Sequence, residues 1–244
     1  MERAEEWEPD AGRWVEWART PGFDAYWYFR DHFFDDILPG AGHRTLEIGC
    51  GEGRVARDLC ARGHTVVAIE PARTLARHAA DADNVGAYVV AEGAALPFPD
   101  ASFDTVVAYN SLQVVRDMPA TVSEAARVLA TGGGLCACIA HPVSDLGGFD
   151  DDGHFVVRDG YFENRRVEDT VEVDGYAMTF RGWTYALEDY ARALENAGLQ
   201  IAILREPRPS ASGTKYARWR SVPLFLNFRA VKVAGAGSTD AARA

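Results

Sequence analysis

The stretch Thr45-Leu-Glu-Ile-Gly-Cys-Gly-Glu-Gly-Arg54 constrains this chain more than any other. A short β-prone run enters a loop with glycine at alternate positions, and helix-forming residues from Val55 to Ala61 follow. Glycines placed there let a backbone approach a ligand closely, and the next helix N-terminus offers N–H donors. Downstream, β-prone and helical segments alternate: strands at Thr65–Glu70, Ala87–Glu92 and Phe103–Asn110, helices at Ala72–Ala80 and Pro119–Leu129. Gly132-Gly-Gly134 is expected to end that last helix, and Leu135–Ala140 to be the fifth strand. Such alternation predicts a mostly parallel α/β sheet with helices on both faces.

The rhythm breaks over 142–182, an expected insertion after the fifth strand. Asp174-Gly175 between Val171–Val173 and Tyr176–Phe180 reads as a β-hairpin with a type I′ turn. A helix at Thr184–Ala197, a strand at Gln200–Arg205 and a last strand at Pro223–Val233 then close the chain. No helix separates those two strands, so the last should be antiparallel. The expected fold is therefore a seven-stranded Rossmann-like sheet with an antiparallel last strand.

Residues 1–40 differ in kind from this core. They hold four of the six tryptophans, and Phe23, Tyr26, Trp27, Arg30, Phe33, Phe34 and Ile37 recur at helical spacing. We read them as an N-terminal helical lid over a domain spanning 41–234, with Tyr26, Tyr28 or Arg30 touching ligand; the other reading is a stripe that simply packs against the sheet. An aromatic lid suits a cationic ligand, because aromatic faces accommodate positive charge. The Ala- and Gly-rich stretch 235–244 is expected to be a disordered tail.

The glycine spacing separates two ligand classes. A dinucleotide fingerprint needs its third glycine at position 54, which is Arg54 here. Glu47 also stands two residues before the first glycine, where a carboxylate would repel a pyrophosphate but suit an ammonium group. Glu70, at the end of the second strand, is placed to accept both hydroxyls of a ribose.

Charge and cysteines narrow the partners. With 25 basic and 36 acidic residues the net charge is −11, and Lys215 and Lys232 are the only lysines. Nucleic-acid affinity rests on Lys and Arg at phosphates, so nucleic acid is not an expected partner. No apolar run approaches a membrane span, and no basic segment leading into an apolar one opens the sequence. Cys50, Cys60, Cys136 and Cys138 have no zinc-ligand spacing, so we expect buried thiols, no metal and a cytoplasmic setting.

Four blocks together carry a resemblance: Leu46-Glu-Ile-Gly-Cys-Gly-Glu-Gly53, Ala68-Ile-Glu-Pro71, Ala95-Leu-Pro-Phe-Pro-Asp-Ala-Ser-Phe-Asp104 and Arg127-Val-Leu-Ala-Thr-Gly-Gly133. In this order and spacing the chain resembles a class I S-adenosylmethionine-dependent methyltransferase of the small-molecule type. The resemblance implies S-adenosylmethionine as cofactor, with S-adenosylhomocysteine as product. Glu47 would hold the methionyl ammonium, and Gly49, Cys50, Gly51 and Gly53 would line the cofactor. Glu70, followed by Pro71, would take the ribose hydroxyls. Glu92 would take the adenine amino group, with an N–H of Gly93 or Ala94 on the ring. Asn110, Ser111 and Leu112 would pass beside the methionine arm. Glu92 departs from the family, which more often has Asp there.

Methyl transfer from a sulfonium is an in-line displacement that needs alignment, and for a hydroxyl acceptor a base. His141, closing the fifth strand before Pro142, is the expected base. His154, Tyr161 and Trp183, with Tyr26, are expected around the acceptor. Asp145, Asp150, Asp151 and Asp152 read as a solvated acidic loop. Asn110-Ser-Leu-Gln113 lacks the Pro-Pro-Tyr that follows Asn or Asp in enzymes methylating amino groups of adenine or glutamine. The expected activity is methylation of a small, partly aromatic metabolite on oxygen, with nitrogen or carbon as the lesser options. Two alternatives stay open: a cyclase or lyase using the bound cofactor as scaffold, and a binding protein without chemistry. Monomer and homodimer are equally compatible with the residues.

Overall fold

The computed structural model describes residues 6–82, 86–209 and 214–234; the expected tail at 235–244 lies outside them. In chain order the elements are α1 (Ala11–Arg19), α2 (Tyr26–Asp36), β1 (Arg44–Ile48), α3 (Arg54–Ala61), β2 (Thr65–Ile69), α4 (Arg73–Ala82), β3 (Ala87–Val89) and β4 (Phe103–Tyr109). Then follow α5 (Met118–Val128), β5 (Leu129–Ala140), β6 (Gly147–Phe149), β7 (Phe155–Val157), β8 (Arg166–Val173), β9 (Tyr176–Trp183), α6 (Leu187–Asn196), β10 (Leu199–Arg205) and β11 (Phe225–Lys232). Seven strands form one sheet in the order β10-β11-β5-β4-β1-β2-β3. All neighbours pair in parallel except β11, which is antiparallel to both β5 and β10.

Strand alternation divides the core between the two faces. Leu135, Ala137 and Ile139 of β5 join Val106 and Ala108 of β4 under α5 and α6. Cys136 and Cys138 join Val107 and Tyr109 on the opposite face, under α2 and α3. The two thiols thus share one face as small buried groups, and neither forms a disulfide. Phe29 and Phe33 of α2, with Ile37 at its C-terminal cap, are almost wholly buried there, so the aromatic stripe packs directly on the sheet.

Several expected boundaries move. β5 begins at Leu129, beside Phe103, and its register with β4 breaks across Gly132 (φ +80°) and Gly133 before resuming at Gly134. β3 stops at Val89, whose carbonyl accepts the Glu70 N–H at 3.1 Å. Helix α6 starts at Leu187 because Thr184 is spent on its neighbours: its hydroxyl accepts from Arg165 N (3.1 Å) and donates to the Glu163 carbonyl (3.0 Å). The Asp174-Gly175 turn has φ +52° and +78°, as a type I′ turn requires. Its hairpin, β8–β9, is longer than expected, and a second short hairpin, β6–β7, precedes it.

Candidate functional site

A cavity of about 820 Å³ opens at the C-terminal ends of β1, β2 and β4, where ligands bind in open α/β sheets. The glycine loop makes its floor. Both Gly49 N (2.9 Å) and Cys50 N (3.0 Å) donate to the Ile69 carbonyl, which turns the chain sharply off β1. Gly49, Gly51 and Gly53 all have positive φ. A Cβ on Gly49 would stand 2.7 Å from the Ser111 Cβ, so no side chain fits between the two loops.

Glu47 lies within β1, paired with Ala68 and Val107, and is 2% exposed. Its Oε2 is buried with no partner among the described residues. Burial, together with the Glu70 and Glu52 carboxylates, pushes its acid up to about 8. A buried, unpaired carboxylate is costly unless something cationic comes to it. Glu70 is tied differently: Oε2 accepts from Gly51 N (2.9 Å) and Oε1 from Ala72 N (3.1 Å). Burial raises it to about 7 although both N–H groups pull it down. Each of its oxygens keeps a lone pair for a further donor. Glu92 and Gly93 continue the wall, and Pro71, Cys50, Asn110 and Ser111 also line the cavity. Asn110 is held at φ +53° by its N–H on the Cys138 carbonyl (2.7 Å).

The N-terminal segment covers the floor. Trp14 of α1 and Trp17, Phe23 and Tyr26 beyond it line the cavity. Arg54 pairs with Asp24 at 2.7 Å and lies 4.2 Å from the Tyr26 ring centroid. Glu52, 1% exposed, is held by Arg19 (2.7 Å) and Arg57 (2.7 Å).

Other expected residues stand elsewhere. Gly53, Ala94 and Leu112 are off the cavity wall. Gly53 caps α3, and Leu112 belongs to the core. Tyr28 packs on Tyr216 with centroids 4.9 Å apart, and Arg30 bonds Asp58 at 3.0 Å; neither reaches the cavity. Tyr26 lines the cavity, but its hydroxyl donates to Asp58. His141 is also off the wall, because both ring nitrogens serve the loop: Nδ1 accepts from Val143 N (3.1 Å) and Nε2 meets Glu206 Oε1 (3.1 Å). Tyr161 accepts from Leu187 N (3.0 Å), and His154 sits exposed with Asp150 and Asp152 on a solvated turn. Trp183 does line the cavity, its N–H donating to the Gln113 carbonyl (2.8 Å).

Sequence reasoning missed four contributors. Trp14, Glu52 and the Arg54–Asp24 pair sit among residues that looked like lid packing or helix surface. Asp145, expected in a solvated loop, instead lies largely buried on the cavity wall. Its signal was its position, the first acid after β5.

These positions fit an S-adenosylmethionine site: an unpartnered carboxylate for the ammonium, a glycine cradle and a second carboxylate at the end of β2. Residues 46–137 match the family model described as a methyltransferase domain. The 27-O-demethylrifamycin SV methyltransferase of Amycolatopsis mediterranei is 38% identical over 102 residues, 39% of this chain and 38% of that protein. The nocamycin O-methyltransferase of Saccharothrix syringae is 36% identical over 107 residues, 41% of this chain and 38% of that protein. The aligned part thus spans about two fifths of those relatives' length. An S-adenosylmethionine-dependent methyltransferase structure from Mesorhizobium loti superposes with a TM-score of 0.68 at 20% identity, covering 85% of this chain and 98% of that one. Residues 46–137 are therefore similar to a methyltransferase domain, and the sheet built around them has the Rossmann-like fold seen in S-adenosylmethionine-dependent methyltransferases.

Proposed function

We propose that this protein transfers the methyl group of S-adenosylmethionine to an oxygen of a small, partly aromatic molecule. One observation carries the reading: the Glu47 carboxylate, buried and without a partner, aimed where a methionyl ammonium would complete it. When bound, the cofactor supplies a methyl group already activated on a sulfonium. The chain's task is alignment and exclusion of water. Glu47 and Glu70 hold the two ends of the ligand, and the glycine loop admits its backbone edge. Trp14, Trp17 and Tyr26 cover it with aromatic surface that tolerates the positive charge.

Beyond Asn110 and Ser111 the same cavity continues between β9, the turn after β5 and the start of β11, where Trp183 and Phe225 provide aromatic walls and Phe180, packed on Trp14 and Trp17, joins the two halves. That half suits an aromatic acceptor. α1 and the hairpin β8–β9 act together as its cover. The O-methyltransferase named among the relatives supports oxygen as the methylated atom.

The test is calorimetric titration with S-adenosylmethionine, S-adenosylhomocysteine and NADH, on the native chain and on Glu47→Gln. Glu47 is the better probe than Glu70, since Glu70 also holds the Gly51 and Ala72 backbone. Binding of both sulfur nucleosides, weakened at least tenfold in the variant, is expected. A preference for NADH, or no binding at all, would remove the reading.

A further inference from the structure

The geometry points to Asp145 as the group that takes the acceptor's proton during transfer, an inference that rests on the methyltransferase reading above. Asp145 sits in the single-turn helix Ser144–Leu146 directly after β5, on the acceptor half of the cavity. No group among the described residues donates a hydrogen bond to its carboxylate, so both oxygens are available to a ligand. Of the other acids on that half of the cavity, Asp169 is exposed to solvent and the rest are paired. Asp159 pairs with Arg165 (2.6 Å), Glu168 faces Arg181 (3.6 Å), and Asp24 at the far side is taken by Arg54.

The turn is held from every side, as a reacting group requires. Ser144 N (2.7 Å) and Ser144 Oγ (2.7 Å) both donate to the His141 carbonyl, and His141 N donates to the Leu224 carbonyl (2.9 Å). Arg165 Nη2 donates to the Asp145 carbonyl (2.8 Å), while Arg158 N reaches the Leu146 carbonyl (2.8 Å). His141 is thus a positioning residue for the turn, with its imidazole spent on Val143 and Glu206. The groups facing the Asp145 carboxyl are Arg165, Asp169 and the Tyr190 hydroxyl. Burial outweighs the nearby guanidinium and raises the acid to about 6, so it is ionised yet basic at neutral pH.

In the step, an oxygen lone pair of the acceptor forms the new O–CH₃ bond and the S–C bond breaks with its electron pair staying on sulfur. The acceptor's hydroxyl proton passes to the Asp145 carboxylate, which returns it to solvent.

The experiment uses methyl-labelled S-adenosylmethionine and a panel of monocyclic phenols, some ionised at the assay pH (nitrophenols) and some not. Native protein, Asp145→Asn and Asp145→Glu are compared, with S-adenosylhomocysteine affinity measured on each by calorimetry. Asp145→Asn should lower kcat on the un-ionised phenols by about 10²- to 10⁴-fold. It should leave the ionised phenols and the nucleoside affinity within a few-fold of native, and Asp145→Glu should restore part of the loss. Equal loss on both phenol classes, no loss on either, or a native protein that binds the cofactor but methylates no phenol, overturns the assignment. Failure of the native protein to bind the sulfur nucleosides fails the methyltransferase reading itself. Should Asn disturb the turn, seen as lost nucleoside binding, Asp145→Ser repeats the comparison.

Discussion

The indole Nε1 of Trp14 lies 2.8 Å from the point where a Cβ on Gly51 would stand. Trp14 and the glycine loop are therefore built against each other, and Gly51 is excluded from substitution by φ (+56°) as well as by space. Gly51→Ala should cost ~1–3 kcal/mol from left-handed strain and overpacking. Adding Trp14→Ala should recover the packing part only. Urea unfolding of the single and double variants checks this; no recovery in the double variant would separate Trp14 from the loop.

Ligand binding should release a proton. Glu47 is held protonated up to about 8, and an ammonium beside it favours the charged form. At pH 7 the heat of S-adenosylmethionine binding should accordingly vary with the ionisation heat of the buffer. In Glu47→Gln the buffer dependence should fall sharply. An unchanged dependence would place the proton elsewhere.

The same acids set a stability slope without ligand. Glu47 and Glu70 have folded values near 8 and 7, above those of an unfolded chain. Between about pH 4.5 and 8 the folded state holds more protons, so stability falls as pH rises through that window. Thermal melts of the native chain should drop on the order of several degrees across it, and less in Glu47→Gln.

His141 works in the opposite direction. Burial lowers its pKa, with Glu206 opposing. The unfolded chain therefore takes up its proton first as pH falls, and the stability contributed by the neutral imidazole is lost below the ordinary histidine range. His141→Gln should flatten the acid side of a melting-temperature profile; an unaltered profile would assign that slope to other groups.

Asp24 and Arg54 form a pair with side chains 11% and 14% exposed. Asp24→Ala strands the guanidinium among Trp14 and Tyr26 and should cost about 3–5 kcal/mol. Asp24→Leu with Arg54→Met, which removes both charges, should cost clearly less. Denaturant midpoints decide; equal costs would mean that the unpaired charge finds water.

The sheet and the cofactor half of the cavity were legible because both are written locally. Alternating apolar runs fix the strands, and the G-x-G-x-G loop with Glu47 and Glu70 falls on consecutive strand ends. The acceptor half was not legible, because it is assembled from distant pieces. His141 looked like a base at a strand end, but only the fold reveals Glu206, 65 residues away, as its partner. Asp145 looked solvated beside Asp150–Asp152, yet packing of Arg165 and the β8–β9 hairpin buries it. Residues Leu129–Gly134 misled for a different reason: β5 starts with Leu129 beside Phe103 and resumes at Gly134 beside Thr105, so the glycines fall in an irregularity within the strand rather than at a helix end.

Polar contacts fasten the N-terminal segment to the rest of the fold, among them those of Glu8, Asp10 and Arg19. Glu8 accepts from Thr74 N of α4 (3.2 Å), Asp10 pairs with Arg181 of β9 (2.5 Å), and Arg19 reaches Glu52 (2.7 Å). Each of these involves a carboxylate, and two set it against a partly exposed arginine, Arg181 at 23% and Arg19 at 39%. On the function proposed above, a nucleoside bound beneath Trp14 should leave no faster than these contacts open. Its residence time should thus shorten as ionic strength rises, even where the contacts to the nucleoside itself are shielded from salt.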